Sequence, residues 1–355
     1  MASLEDVLAD IAPLDESVMN VMRARLDQLT KPQGSLGRLE ELAIRLAGIR
    51  GELFPSLASC TVVVAAGDHG VTVEGVSAFP SEVTHQMVAL FSAGRAAINV
   101  LARTLGAEVL VVDAGVAGMG LERQDHIIPL RIGSGTANFR VGPAMTRQQA
   151  SAAIQGGIDV GLSAIASGAD VLITGDMGIG NTTSAAAITA AMTGAAASQV
   201  VGRGTGIDDP GLTRKLTVIE DALNLHQVGP GDPIGVLAAV GGFEIGVLAG
   251  VILAGASSRR PIIIDGVVSG AAALLACELA PHAVDFCIAG HRSTEPAHTL
   301  AFQHLGLVPF LDLQLRLGEG TGAILALPLL RSAVAIARDM WTFAEAGVAH
   351  RESAP

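Results

Sequence analysis

Runs of consecutive apolar residues recur through the middle of the chain, and each is followed by a glycine-bearing or polar loop and then by a helical stretch. The pattern occurs five times, at residues 60–70, 107–118, 169–183, 260–276 and 283–298. Continuous apolar strands that alternate with helices are typical of a parallel sheet covered by helices on both faces. The pattern therefore predicts a doubly wound α/β domain with a mainly parallel sheet.

The segments between these runs carry apolar residues at intervals of three and four, which is the spacing of one helical face. Residues 82–106 and 146–169 are two such segments. The apolar stretch 234–257 is long enough to cross a membrane, but Glu244 and two adjacent glycines interrupt it, and no basic or aromatic residues flank it. We therefore expect a buried helix of a soluble protein there, and no membrane association.

The two ends of the chain lack the alternation of strands and helices. Residues 1–50 predict two or three helices, and residues 324–347 predict a further helical segment. We expect these terminal helices to pack together as a small second domain, formed by residues 1–55 and about 325–355. Residues 56–324 would then form the large α/β domain.

Composition narrows the class of protein mainly by exclusion. Of 355 residues, 50% are hydrophobic and only 3% are aromatic, so aliphatic side chains must build the core. The net charge of −12 and the lack of a basic stripe argue against nucleic-acid binding. The three cysteines form no CxxC pair, and the acidic start of the chain lacks the basic region of a signal peptide. These features predict a cytoplasmic protein with reduced cysteines.

Most of the notable polar residues follow the predicted strands, at the carboxyl ends where open parallel sheets bind ligands. They come from five different runs: Asp68, His69, Asp113, Asp176, Asn181, Thr182, Asp265 and Ser293. Because the fold brings these strand ends to one edge of the sheet, the residues predict a single ligand site there.

The loop TGDMGIGNTTS, residues 174–184, is a candidate for phosphate binding because it follows a strand and opens a helix. Free backbone N–H groups and the positive end of the helix dipole hold anions at such a position. The loop is neither a Walker loop nor the dinucleotide fingerprint, and an ordinary capped helix after a tight turn is the alternative. A second glycine loop at residues 201–206 is followed by Lys215, in a chain with few lysines.

The stretch LRLGEGTGAI, residues 315–324, places Glu319 between glycines at the start of an apolar segment. An acid in this position can simply favour the dipole of a helix, which contributes less than about 1 kcal/mol. Alternatively, the glycines form the wall of a ligand site in which the carboxylate of Glu319 carries out the chemistry. A metal site is not predicted, because the spacing of Cys287, His291 and His298 matches no zinc pattern.

The chain also contains, in order, eight motifs that extend over nearly its whole length: KPQGSLGRLE (31–40), AAGDHGV (65–71), EGVSAFPSEVTHQM (74–87), GDMGIGNTTSAA (175–186), GRGTG (202–206), IIDGVVSGAAAL (263–274), GHRSTEPAH (290–298) and LDLQLRLGEGTGAILA (311–326). Together they closely resemble the nicotinate-nucleotide–dimethylbenzimidazole phosphoribosyltransferase family, whose members make the lower-ligand nucleotide of cobalamin. The resemblance implies a homodimer with a Rossmann-like large domain and a small helical domain built from both termini.

The same resemblance implies transfer of 5-phosphoribose from nicotinate mononucleotide to 5,6-dimethylbenzimidazole, without a metal or other cofactor. The products are α-ribazole 5′-phosphate and nicotinate, with inversion at C1′. Two other interpretations stay open. The same fold can act on another azole, a purine or a phenol, or the chain can be a nucleotide sensor without catalysis. Retention of Glu319 in an intact GEGTG loop argues against the sensor, because phosphate binding needs no such acid.

Site roles follow from the resemblance residue by residue. The catalytic base falls on Glu319, and Asp176 stands where the family usually has Glu, so that its carboxylate is one methylene shorter. The base pocket falls on Ser77, Gln86, Met87, Met177 and Leu317. The phosphate and ribose contacts fall on Gly178, Gly180, Asn181, Thr182, Lys215, Asp265, Gly266 and Ser293.

Overall fold

The computed structural model describes residues 2–118 and 126–349 of the chain. Within these residues, six parallel strands form one sheet: β1 (Cys60–Gly67), β2 (Glu108–Gly115), β3 (Ile127–Pro129), β4 (Val171–Met177), β5 (Ile262–Ile264) and β6 (Cys287–Ala289). The strand order is β3-β2-β1-β4-β5-β6, in which the direction of winding reverses between β1 and β4. The predicted doubly wound parallel sheet is confirmed.

Helices lie on both faces of this sheet. Their bounds are α1 (Leu4–Asp10), α2 (Glu16–Gln28), α3 (Arg38–Arg50), α4 (Glu82–Ser92), α5 (Ala97–Leu105), α6 (Arg147–Ala166), α7 (Asn181–Thr193), α8 (Ala197–Val200), α9 (Asp209–His226), α10 (Pro233–Val240), α11 (Phe243–Ser257), α12 (Val267–Leu279), α13 (Pro296–His304), α14 (Thr321–Ile324), α15 (Leu327–Asp339) and α16 (Phe343–Ala346). Two short 3-10 helices, Gly70–Glu74 and Pro281–Phe286, complete the described elements.

The structure differs from the hydrophobic pattern at three places. The segment predicted as one helix at 82–106 is divided into α4 and α5, because Gly94 adopts a left-handed φ of +67° between them. The apolar stretch 234–257 forms two buried helices, α10 and α11, instead of one. Strand β3 was not predicted, since three residues are too few to show a periodic signal.

Two stretches are long and apolar enough to cross a membrane by length and composition, Glu82–Leu105 and Thr321–Asp339. The first contains the break between α4 and α5, and the second spans α14 and α15. In the most apolar part of the second stretch, 56% of the residues are buried inside the protein, as they are in a core helix. The expectation of no membrane association stays a prediction.

Helices from both ends of the chain meet in the structure. Helices α2, α3 and α15 pack against one another, whereas α1 packs on α6 and α11 beside the sheet. Arg25 of α2 joins the two ends by donating hydrogen bonds to the carbonyl oxygens of Ala337 and Arg338. The division into a large and a small domain remains a prediction.

Helices α6 and α11 cross with their backbones in direct contact on one face of the sheet. A methyl group at Gly157 would collide with the carbonyl group of Val247, and one at Gly250 would collide with the carbonyl oxygen of Ile154. Backbone atoms cannot move aside as the tip of a flexible side chain can. The two glycines therefore allow the backbones of α6 and α11 to approach each other this closely.

We expect Gly157→Ala to lower the free energy of unfolding by about 1–3 kcal/mol or more, because its methyl group has no room. Gly142→Ala is the matched control, since no atom lies within 4 Å of the added methyl group, and its effect should stay within about 0.5 kcal/mol. Urea unfolding of both variants and the unchanged protein measures the difference. Equal midpoints for the two variants would contradict the close crossing.

Candidate active site

A cavity of about 290 Å³ opens at the carboxyl edge of the sheet. The loops after β4, β5 and β6 line it, together with residues 204–205 and 316–318. A larger cavity of about 760 Å³ lies at the amino ends of β1 and β2, and none of the predicted site residues lines it. The cavity at the carboxyl edge, where parallel sheets bind ligands, is therefore the candidate site.

The turn between β4 and α7 brings the first residues of that helix to the cavity. Gly180 has a left-handed φ of +95°, and a methyl group at Gly178 would collide with the carbonyl oxygen of Gly67. Both positions therefore require glycine. Of the predicted residues in this loop, Gly178, Asn181 and Thr182 line the cavity, while Gly180 shapes the turn. The start of a helix of 13 residues faces the cavity, which suits an anionic group.

Lys215 lies behind this loop and is completely buried. Its Nζ donates a hydrogen bond of 2.8 Å to Oγ1 of Thr182, which lines the cavity. Burial lowers the pKa of Lys215 to about 8, and the nearby carboxylate of Glu295 opposes the shift. Glu295 itself lines the cavity and accepts a 2.9 Å hydrogen bond from the N–H of Gly204. The second glycine loop is therefore fixed beside the lysine.

Asp265 holds the loop that carries Glu319. Its buried carboxylate accepts hydrogen bonds from the N–H groups of Gly320 (3.2 Å), Gly322 (2.9 Å) and Ala323 (2.8 Å). Gly266, the next residue, lines the cavity, but Asp265 does not. Its carboxylate thus faces the glycine loop, and the contact with the ribose implied for Asp265 stays a prediction.

Ser293 lines the cavity at the end of the β6 loop, and His298 holds it there. His298 Nδ1 accepts a hydrogen bond from the N–H of Ser293 (3.3 Å), and Nε2 lies 3.1 Å from the carbonyl oxygen of Asp265. Burial lowers the pKa of His298 to about 4. The ring is therefore neutral at physiological pH, with its proton on Nε2, and it ties the β5 and β6 ends together.

Glu319 is buried and has a left-handed φ of +63°, which is uncommon for a residue with a side chain. Its N–H donates to the carbonyl oxygen of Asp176, and its Oε2 accepts a 3.2 Å hydrogen bond from the N–H of Ile98. Burial raises the pKa of Glu319, while the bond from Ile98 opposes the shift. The carboxylate thus contacts the first turn of α5, and its neighbours Leu317 and Gly318, unlike Glu319, line the cavity.

Asp176 is the acid at the end of β4, and it lines the cavity. Burial, followed by the charge of Asp265, raises the pKa of Asp176 to about 8, while a hydrogen bond of 2.9 Å from Asn181 opposes the shift. A methyl group at Gly318 would lie 3.2 Å from both carboxylate oxygens. Asp176 therefore contacts the Glu319 loop directly and can exchange a proton near neutral pH.

The residues predicted for the base pocket fall into two groups. Met177 and Leu317 line the cavity, and Ser77 reaches its wall through a 3.2 Å contact with Thr205. Two others lie on α4 and do not line the cavity: Gln86, which is exposed, and Met87, which is half-buried.

Three polar residues predicted at the strand ends belong to the interior rather than to the cavity. Asp68 and Asp113 are buried, and each accepts a 2.8 Å hydrogen bond from a backbone N–H group. His69 Nε2 lies 2.7 Å from Glu244, and its Nδ1 lies 3.0 Å from Ser184. These contacts join the end of β1 to α7 and α11, so the residues stabilise the switch point of the sheet.

Several lining residues were missed as site residues: Phe79, Thr205, His291, Glu295 and Arg316. All of them lie inside the quoted motifs, in EGVSAFPSEVTHQM, GRGTG, GHRSTEPAH and LDLQLRLGEGTGAILA. Motif membership is the signal that could have found them, since none carries a chemical pattern of its own. Among the described residues, no group of three or more His, Cys, Asp or Glu could hold a metal ion.

The chain is similar to proteins of one named activity. A family model described as "Phosphoribosyltransferase" matches residues 11–348. The chain is 55% identical over 348 residues to a nicotinate-nucleotide–dimethylbenzimidazole phosphoribosyltransferase from Roseiflexus castenholzii, covering 98% of each. It is 54% identical to one from Chloroflexus aggregans over all of both chains. The crystal structure of CobT from Thermus thermophilus matches with a TM-score of 0.91 at 49% identity, over 94% of this chain and 100% of that one.

Proposed function

This chain belongs to the nicotinate-nucleotide–dimethylbenzimidazole phosphoribosyltransferase family, and we propose that it transfers 5-phosphoribose from nicotinate mononucleotide to 5,6-dimethylbenzimidazole. The products are α-ribazole 5′-phosphate and nicotinate. The observation that carries the proposal is the match to relatives over the whole chain, at 54–55% identity. The cavity adds support, because the start of α7 and the buried acid Asp176 line it, Lys215 contacts its wall through Thr182, and the loop that carries Glu319 forms another part of the wall.

Binding of the nucleotide phosphate is assigned to the turn between β4 and α7. The positive end of the α7 dipole lies at the cavity, and Thr182 in its wall accepts a hydrogen bond from the buried ammonium group of Lys215. Ser293 offers a hydroxyl group from the opposite loop. The phosphate fixes the position of the ribose, so that C1′ is presented to the incoming base.

The chemistry at C1′ requires one proton acceptor. Nicotinate in the nucleotide is a cationic pyridinium and leaves without protonation, whereas the attacking benzimidazole must lose the proton of its second ring nitrogen. Attack from the face opposite the leaving group inverts C1′ and gives the α-nucleotide. We assign the proton to Glu319, whose pKa burial raises toward neutral pH, which makes it a stronger base.

Asp176 is the second acid of the site, and its place in the cavity wall supports a role in proton exchange or in orienting the base. We expect Asp176→Asn to lower turnover by about 10²-fold, because the amide cannot exchange the proton that the carboxyl group exchanges near pH 8. Asp176→Glu should stay within about tenfold of the unchanged protein, since it keeps the carboxylate. Initial rates of nicotinate release measure both. An Asn variant of normal activity would make Asp176 structural, and a faster Glu variant would show that its reach is limiting.

The proposed activity is tested by incubating the protein with nicotinate mononucleotide and 5,6-dimethylbenzimidazole and measuring free nicotinate. The anomeric configuration of the product, determined by NMR, tests inversion. A nucleotide sensor would bind the mononucleotide without releasing nicotinate. Competition among dimethylbenzimidazole, benzimidazole, adenine and a phenol tests the interpretation that another base is preferred, since one or two methyl groups contribute only about 1–3 kcal/mol to such a choice.

We also propose that the protein is a cytoplasmic homodimer with a small helical domain around α2, α3 and α15. Two apolar side chains at the cavity, Phe79 and Leu317, are 52% and 60% exposed, and a second copy would cover them. Sedimentation velocity at micromolar concentration should give a dimer. A monomer of full activity would contradict the assembly without affecting the proposed reaction.

A further inference from the structure

Arg316 brings a full positive charge to the cavity wall. It lies three residues before Glu319, it is exposed, and it is the only lysine or arginine among the described residues that line the cavity. Within the part of the chain that the structure describes, its guanidinium group forms no ion pair and one hydrogen bond, which Nη1 donates to the carbonyl oxygen of Gly204 (3.2 Å). Most of the five N–H donors of this group are therefore available to a ligand.

The hydrogen bond to Gly204 places the guanidinium group beside the part of the wall to which the nucleotide phosphate is assigned. A methyl group at Gly204 would lie 2.6 Å from Oγ1 of Thr182 and 3.3 Å from Nζ of Lys215. Thr182 and Lys215 are themselves joined by a 2.8 Å hydrogen bond. A single glycine residue therefore separates Arg316 from the two residues that are assigned to the phosphate.

Glu295 is the acid on this side of the cavity, and its carboxylate is engaged elsewhere. Its Oε1 accepts a 2.9 Å hydrogen bond from the N–H of Gly204, whereas Arg316 donates to the carbonyl oxygen of the same glycine. In the described part of the chain the two side chains form no ion pair with each other. Gly204 thus holds the acid and the guanidinium group by different atoms, and the positive charge of Arg316 is left to attract an anion.

Nicotinate mononucleotide carries two anionic groups, the phosphate and the carboxylate of its ring. A planar guanidinium group with parallel N–H donors fits either group. The position of Arg316 favours the phosphate, because Thr182 and the start of α7 lie next to Gly204 and line the same cavity. The ring carboxylate lies at the opposite end of the nucleotide, away from this part of the wall.

We propose that Arg316 is a substrate-binding residue whose guanidinium group donates two hydrogen bonds to the phosphate of the mononucleotide. This inference rests on the proposed function, because it takes nicotinate mononucleotide as the ligand. It adds a charged group to the phosphate contacts that are assigned to the turn before α7, to Lys215 and to Ser293. The loop at residues 316–319 thus holds the phosphate through Arg316 and takes the proton through Glu319.

Three ligands that differ in their anionic groups test the inference. Nicotinate mononucleotide has both groups, nicotinate riboside lacks the phosphate, and nicotinamide mononucleotide lacks the carboxylate. Arg316→Met should raise the KM for nicotinate mononucleotide and the inhibition constant of nicotinamide mononucleotide by about 10–100-fold, and it should leave kcat/KM for the riboside unchanged. Arg316→Lys, which keeps the charge without the planar pair of donors, should recover part of the affinity for both mononucleotides.

Arg214→Met, which removes an exposed arginine on α9 that does not line the cavity, is the control and should leave all these constants unchanged. An unchanged KM for nicotinate mononucleotide in Arg316→Met would overturn the inference. An equal loss with the riboside would overturn it too. If nicotinamide mononucleotide then bound normally, Arg316 would belong to the ring carboxylate, and if all three ligands lost affinity alike, it would only brace Gly204.

Failure of the unchanged protein to bind nicotinate mononucleotide or to release nicotinate would instead overturn the proposed function, and the inference with it. Because the side chain of Arg316 is exposed, the unfolding midpoint of Arg316→Met should equal that of the unchanged protein. If this variant does not fold, Arg316→Lys decides with the same ligands, since it should lose affinity for the two mononucleotides and none for the riboside.

Discussion

Glu319→Gln is expected to lower turnover by about 10²–10⁴-fold while binding of nicotinate mononucleotide stays nearly normal. The amide oxygen of Gln can still accept the hydrogen bond that Ile98 donates to Glu319, so the contact with α5 is preserved. What the variant loses is the capacity to take a proton from the benzimidazole. Initial rates at saturating base and calorimetric binding of the nucleotide separate these two effects.

The pH dependence of turnover gives a second measurement on Glu319. A base acts in its deprotonated form, so turnover should fall as the pH drops through the pKa of Glu319, which burial raises. This decrease of turnover at low pH should be absent in Glu319→Gln. If the acid served only the dipole of α5, the variant would keep normal turnover and lose less than about 1 kcal/mol of stability. Normal turnover would therefore transfer the role of base to Asp176, the acid that lines the cavity.

Lys215→Met is expected to raise the KM for nicotinate mononucleotide by about 10–100-fold, because it removes the positive charge behind Thr182 that attracts the phosphate. The unfolding midpoint should not fall, since an apolar side chain of similar length replaces a buried charge. Nicotinate riboside, which has no phosphate, should be used equally well by the variant and the unchanged protein. Arg214→Met, an exposed neighbour on α9, is the control for loss of one positive charge.

The pH dependence of nucleotide binding follows from the same lysine. The pKa of Lys215 is lowered to about 8 by burial, so its ammonium form predominates below that pH and is lost above it. Affinity for the phosphate should therefore decline as the pH rises through about 8, and the decline should be absent in Lys215→Met. An equal loss of affinity for the phosphate-free riboside would contradict the assignment of Lys215 to the phosphate.

The residues that follow a strand directly were predictable from the sequence. Gly178, Asn181, Gly266 and Ser293 line the cavity, because the carboxyl ends of parallel strands meet at one edge and the chain can reach no other place within a few residues. Strand ends alone did not decide which polar residues face the ligand, however. Asp68, His69 and Asp113 follow strands or end them as well, yet they are buried away from the cavity.

The direction of individual side chains depended on segments far apart in the sequence. Glu319 turns toward α5 because its left-handed backbone and the N–H of Ile98 place its carboxylate there. Asp265 is held by the N–H groups of residues 320–323. His291 has no local pattern that marks it, since its environment comes from Asp265, Gly322 and His298. Such contacts exist only after distant loops have met.

By itself the sequence determined the class of fold and the edge of the sheet at which chemistry occurs, because hydrophobic alternation records which residues must leave water. Its motifs also identified the family, since they retain the chemistry of the site. Only the tertiary structure decided the order of the strands, the division of α4 from α5 and which acid lines the cavity. Those features depend on packing and hydrogen bonds between residues far apart in the chain, and hydrophobic periodicity carries no information on such partners.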